Sequence, residues 1–267
     1  MIPDQQDLYA ILSQAAQAEL LPRFRRVDSR TKDDGSLVTE ADIAMQSAVR
    51  HELAKTSPEY VLLGEEMSDQ EQRAIMSRAD ATFWCLDPLD GTTNYAVGVP
   101  FFAVSLALIV NRQVMIGAIY DPIRDEFFYA RQGAGAYLNN VRLSVANNAQ
   151  FSVPLNKGVG IVDFKRLSPK LATQLVTQPP FASQRSFGSV ALDWCWLAAG
   201  RGHVYLHGKQ KIWDFAAGWL ILNEAGGKSA TLDNEPVFDG SFSPRSAVAA
   251  LDNDVFAQWQ SWLQQHS

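Results

Sequence analysis

The chain has 267 residues, of which 47% are hydrophobic and 19% charged, with a formal net charge of −6. Such a chain can bury a large core, as one domain or two lobes, and its acidic balance argues against a nucleic acid polymer as the main partner. Cys85 and Cys195 lie in apolar runs without metal-type spacing, no leader-like segment opens the sequence, and no apolar run nears the roughly 20 residues of a membrane span, so a reduced, cytoplasmic protein is expected.

Leu8, Ile11, Leu12, Ala15, Ala18 and Leu20 recur at helical spacing and predict a first helix that ends near Phe24. A polar loop over 28–36 carries Lys32. Thr39 and Asp42 form a helix-start box, opening a second helix with Ala41, Met45, Ala48, Val49 and Leu53 on one side. Residues 60–63 read as a short strand ending at Gly64-Glu65-Glu66, and 82–86 as another ending at Asp87. Apolar runs at 103–110, 114–120, 126–130 and 136–138, separated by turn residues, predict an antiparallel meander. After Asn147-Asn148 strands and helices alternate: strand 158–162, helices 168–176 and 189–199, strand 203–206, helix 213–224, strand 248–251 and a last helix to Gln265. A boundary near residue 150 divides the chain into 1–150 and 151–267.

The run Asp87-Pro88-Leu89-Asp90-Gly91-Thr92 carries the chemistry. Pro88 fixes its own φ and biases Asp87 toward extended geometry, so the chain turns just after the first acid. That turn can aim the Asp87 carboxylate, the Leu89 carbonyl and the Asp90 carboxylate into one volume. Hard oxygens so close repel each other unless a cation sits between them, and Mg²⁺ is the usual answer. Gly91 and Thr92 offer backbone N–H groups at a helix start or nest, which attracts phosphate. The outline is a metal-dependent phosphoryl-transfer site, although an Asp-Pro-x-Asp-Gly turn alone is also common loop punctuation.

Three more pieces stand at predicted strand ends or helix starts: Gly64-Glu65-Glu66, Gly188-Ser189 and Trp213-Asp214-Phe215-Ala216-Ala217-Gly218. Together with Glu224-Ala225-Gly226-Gly227 they resemble, in order and spacing, the inositol monophosphatase family of Mg²⁺-dependent, lithium-sensitive phosphatases. The resemblance implies an α/β (α+β sandwich) fold of alternating helix and sheet layers. An antiparallel N-terminal sheet would pack with a mixed C-terminal sheet, placing the site between 1–150 and 151–267. It also implies two to three Mg²⁺ ions, a small phosphorylated metabolite as partner, no membrane, and a homodimer for which the meander between Phe101 and Tyr137 offers apolar surface.

The resemblance assigns roles residue by residue. Glu65, Asp87 and the Leu89 carbonyl would hold a first metal, Asp87, Asp90 and Asp214 a second, and Glu65 with waters a weaker third. Thr92 and Asp42 would orient and deprotonate the attacking water, with Glu65 also in the catalytic set. Asp90, Gly91, Thr92, Gly188, Ser189, Val190 and Asp214 would contact substrate. Asp42 and Asp214 have plainer readings as helix-start acids, and Lys32 as a surface lysine.

One departure concerns the leaving group. Inositol-type members carry an acid seven residues before the Trp-Asp aspartate, to contact a sugar hydroxyl; here that position is His207, followed by Lys209 and Lys211. The loop carrying Lys165 and Arg166, which faces the same side in the family fold, and Arg185, which precedes Gly188-Ser189-Val190, add further charge. If these cations face the pocket, they favour a 3′(2′),5′-bisphosphate nucleotide or a sugar bisphosphate, and a carboxylate at 207 would turn preference back toward inositol monophosphate. A regulatory protein with vestigial activity is the alternative of another class. It predicts loss of a metal acid, and none is lost.

Overall fold

The computed structural model describes residues 2–26, 29–31, 37–77, 82–144 and 153–266; Lys32 and the 147–148 turn lie outside the described residues. The chain opens with α1 (Gln5–Glu19), capped by Asp4, then the two-stranded ribbon β1 (Ser29–Thr31) and β2 (Leu37–Thr39), and α2 (Glu40–Thr56). Next come β3 (Val61–Gly64), α3 (Asp69–Met76), β4 (Phe83–Asp90), the six-residue α4 (Thr92–Val97), and β5 (Ala103–Val110), β6 (Gln113–Asp121), β7 (Glu126–Arg131), β8 (Gly135–Leu138) and β9 (Val141–Leu143). Strands β3 to β9 form one seven-stranded sheet in sequence order.

The second half runs β10 (Val159–Asp163), α5 (Pro169–Thr177), β11 (Ser183–Arg185), α6 (Val190–Ala198), β12 (Val204–Gln210), α7 (Ile212–Glu224), β13 (Lys228–Ala230), β14 (Arg245–Ala250) and α8 (Asn253–His266). Its five-stranded sheet has the order β11-β10-β12-β14-β13. β10 pairs parallel with β11 and β12, whereas β14 pairs antiparallel with β12 and β13, so this sheet is mixed as expected.

Strand periodicity stacks these elements. In β4, Trp84 and Leu86 join a cluster with Leu12, Met45 and Val49 of α1 and α2, while Phe83 and Cys85 face the other way, into a cluster containing α6 and α7. In β12, Tyr205 points toward α6 and α7, and Val204 and Leu206 point toward Leu171 of α5 and Trp259 of α8. The order is therefore helix, sheet, helix, sheet, helix. Helices α6 and α7 lie between the sheets, which explains why α7 is apolar on almost every side.

Three expectations are corrected. The N-terminal sheet is antiparallel only from β4 onward; β3 pairs parallel with β4, so this sheet too is mixed. The meander offers little surface for a dimer, because α1 and α2 cover one face and α6 and α7 the other, leaving residues 101–109 buried. The first helix ends at Glu19, and the chain continues through turns to Arg25.

Candidate active site

The site is built at the C-terminal end of β4. Pairing with β5 is interrupted between Asp87 and Asp90, where Pro88 and Leu89 are accommodated. The Leu89 N–H donates to Asp87 Oδ1 at 3.0 Å, closing the turn. Gly91 then takes φ +92°, a left-handed conformation suited to glycine, and sends the chain from strand into α4. Gly91 and Thr92, at the start of this helix, line the same cavity as Asp87, Asp90 and Asp214.

Each aspartate is anchored through a carboxylate oxygen. Asp42 Oδ2 accepts from the Thr39 N–H at 2.7 Å and hydroxyl at 2.6 Å. Asp90 Oδ2 accepts from the Ser189 hydroxyl and from the Ala191 N–H, the latter at 2.7 Å, both at the start of α6. Asp214 Oδ2 accepts from the Lys211 N–H at 2.8 Å as part of the α7 cap. Fixing one oxygen directs the other, so helix capping and site geometry are set by the same bonds. The Thr92 hydroxyl stands 2.9 Å from the Leu89 carbonyl oxygen and 3.3 Å from Asp42 Oδ1.

Burial dominates the electrostatics. It pushes the Asp87 and Asp214 carboxyls well above the usual carboxylate range, and neighbouring Glu65 and Asp90 push further. Asp90 is pushed up to about 6 by burial, against the lowering effect of its bond from Ser189. Asp42 is raised by burial as well. Among the described residues no three such groups already form a closed ion cage.

One cavity of about 300 Å³ is lined by Glu65, Asp87, Leu89, Asp90, Gly91, Thr92, Lys165, Gly188, Ser189, Val190, His207 and Asp214. Asp42 lies outside the lining and reaches the site through Thr92. The hydroxyl of Ser189 is engaged with Asp90 and with the cap of α6, so this side chain positions an acid. Of the sequence's cations, Lys165, Arg166 and Lys209 line the cavity as exposed side chains. Lys211 instead lies over the Trp213 ring at 5.3 Å, and Arg185 bonds back to Ser183 and the Gln184 carbonyl. Two lining acids were missed by sequence reasoning, Asp163 and Asp193. Asp163 directly follows the predicted strand 158–162, a position that could have marked it; Asp193 hides inside an apolar helix.

The comparisons with known proteins can now be set beside this geometry. The family model described as "Inositol monophosphatase family" matches residues 4–262. The chain belongs to the inositol monophosphatase family. It is 37% identical over 206 residues to "Nus factor SuhB" of Pasteurella multocida (76% of this chain, 75% of that one). It is 36% identical over 204 residues to "Inositol-1-monophosphatase" of Mesorhizobium japonicum (76% and 74%). A solved Thermotoga maritima IMPase superposes with TM-score 0.81 at 27% identity, covering 98% of this chain and 99% of that one. Within this inositol monophosphatase family member, no described helix is long and apolar enough to cross a membrane.

Proposed function

We propose that this protein is a Mg²⁺-dependent phosphomonoesterase that hydrolyses a small phosphorylated metabolite with water as nucleophile. The observation that carries this reading is the ring of anchored, mutually repelling acids at the end of β4, next to the N–H groups that open α4. Hard carboxylate and carbonyl oxygens are the donors Mg²⁺ takes, so the residues fit the ion. Glu65, Asp87 and the Leu89 carbonyl would hold one ion, Asp87, Asp90 and Asp214 a second, and Glu65 a weaker third. When bound, the ions would supply positive charge for the phosphoryl oxygens and make a nearby water more acidic.

The chain's own groups do the rest. The N–H groups of Gly91 and Thr92 hold phosphate oxygens as charge grows on them. The Thr92 hydroxyl orients the attacking water, and Asp42 receives its proton through that hydroxyl. Burial raises the affinity of Asp42 for a proton, which suits a base working near neutral pH. Ser189 and Ala191 hold Asp90, so a group from α6 sets an acid on β4.

The name of the Mesorhizobium relative supports inositol 1-phosphate as a first substrate to try. The exposed cations Lys165, Arg166 and Lys209 at the cavity favour the second reading, a sugar bisphosphate or a 3′(2′),5′-bisphosphate nucleotide. A phosphate-release screen over both classes, with Mg²⁺ and with chelator, tests the proposal. Release that requires Mg²⁺ is expected, with inhibition by lithium in the same assay; no release from any ester would replace the enzyme with a binding protein of this fold. The reading includes a homodimer in a cytoplasmic setting, and sedimentation at micromolar protein checks the assembly.

A further inference from the structure

The wall of the cavity opposite the start of α4 comes from β10, β12 and α6. Asp163 and His207 are register partners across the parallel β10–β12 pair, so their side chains stand side by side on one face of the sheet. His207 is 3% exposed, and its Nδ1 accepts the Lys209 N–H at 3.1 Å. An imidazole accepting at Nδ1 carries its proton on Nε2 in the neutral form. That Nε2 lies 3.5 Å from Asp163 Oδ2, too long for a full hydrogen bond. The other Asp163 oxygen accepts the Lys165 N–H at 2.7 Å. A donor and an acceptor thus face the cavity side by side, close enough to interact and too far apart to satisfy each other.

Two further observations bear on the same wall. Asp193 lines the cavity at 4% exposure, and its Oδ1 has no hydrogen-bond partner among the described residues. A buried polar oxygen left unpartnered is costly, and a ligand group is one way to satisfy it. The loop after Asp163 is also held in place, because a Cβ on Gly208 would overlap the Arg166 carbonyl. The chain at Arg166 therefore packs directly on β12, which fixes Asp163 relative to His207.

We infer that the Asp163–His207 pair reads a hydroxyl group of the substrate's leaving alcohol. The hydroxyl oxygen accepts from His207 Nε2–H, and its proton is donated to Asp163 Oδ2, so one group completes both half-made bonds. A second phosphate at this spot would meet the negative charge of the Asp163 carboxylate. At this one position the pair therefore favours a hydroxyl over a phosphate, whatever the exposed Lys165, Arg166 and Lys209 attract elsewhere in the cavity. Both residues touch that hydroxyl, His207 as the donor and Asp163 as the acceptor. The inference rests on the phosphatase reading and deepens it by naming what the far wall recognises.

The test compares two esters on one protein preparation: myo-inositol 1-phosphate, rich in hydroxyls, and p-nitrophenyl phosphate, whose leaving group has none. For Asp163→Ala the ratio of kcat/KM for the inositol ester to that for the aryl ester should fall by about tenfold or more, mostly through KM, as expected for losing a charge-assisted hydrogen bond. His207→Phe should lower the ratio in the same direction, and the two losses should overlap in the double variant instead of multiplying. Asp163→Asn preserves shape and decides the matter if the alanine variant does not fold. A ratio within twofold of wild type in the soluble Asp163 variant overturns the inference, as does a wild-type enzyme that cleaves the aryl ester and not the inositol ester. A wild type that releases phosphate with Mg²⁺ from a bisphosphate but from neither of these esters also overturns the inference, whereas one that releases it from no ester of the screen overturns the phosphatase reading itself.

Discussion

The two walls of the cavity are built by different rules. Around the end of β4, the Asp42, Asp87 and Asp214 carboxylates take hydrogen bonds from backbone N–H groups within three residues of themselves. Across the cavity, Asp163 and His207 meet only because β10 pairs with β12, 44 residues apart by their register partners. On the first wall these three acids are aimed by local turns and helix caps, with Asp90, held from α6, the exception, whereas the second wall depends on long-range strand register. On the proposed reading, reaction chemistry belongs to the first wall and selection of the alcohol to the second, so substitutions on the two sides should separate into losses of turnover and changes of preference.

Four measurements would break or sharpen that division. The largest effect belongs to Asp90→Asn, which removes a ligand charge while leaving an acceptor for Ser189 and Ala191. It should lower kcat by about 10²–10⁴, and near-normal turnover at saturating Mg²⁺ would show that the acids have been given the wrong task. Asp42→Asn should lower kcat by about 10²-fold with little change in KM, since it removes the proton acceptor and not a substrate contact; a steady-state comparison on one ester reads this directly. Gly208→Ala belongs to the distant wall. It forces the Arg166 carbonyl away and should destabilise the fold by about 1–3 kcal/mol in urea titrations, while shifting the preference between esters more than it changes kcat.

The fourth measurement uses the opposite signs of the two walls. Asp90 has a folded pKa of about 6, above the ordinary 3.8, so folding favours its protonated form. Its contribution to stability is present at low pH and is lost as pH rises through about 6; Asp87 and Asp214, raised in the same direction, add to the trend. Asp163 is lowered, so its contribution is lost only as pH falls through the carboxylate range. Metal-free protein should therefore melt at higher temperature at pH 5 than at pH 7, and added Mg²⁺ should weaken or reverse the trend. A melting temperature that rises from pH 5 to pH 7 with chelator present would mean the acids of the first wall are not mutually strained.

The same division explains what could be read from the sequence. The run from Asp87 to Thr92 announces itself because proline, glycine and two acids act on their own neighbours. Most strands and helices were legible in their periodicity, whereas the layered arrangement came from the family resemblance; the packing bears it out in β4, where alternate residues enter different cores. Helix α3 was missed because among its residues only Gln72 is buried, so it has no apolar stripe to betray it; the Ser68–Glu71 capping box was its one signal. His207 was read as part of a basic cluster because its neighbours in sequence are lysines, whereas its partner in space is an aspartate on another strand. Buried Asp193 is a lone acid in an apolar helix, and only the packing of α6 places it at the cavity.

Besides Ser189 on Asp90, the Asn94 side chain joins the two halves beside the Gly91–Thr92 turn. The Asn94 amide, on α4, donates to the Phe101 carbonyl at 2.8 Å and to the Phe187 carbonyl at 2.6 Å, next to Gly188. Helix α4 is six residues long and would be marginal alone, so its order is borrowed from segments on either side. Local opening of the loop at Phe187 should then loosen α4 as well. In native-state hydrogen exchange the amides of Thr92 to Tyr95 and those of Ala191 to Asp193 should open as one unit, with a common free energy below that of global unfolding. Such coupling would make the pocket assemble or come apart as a whole.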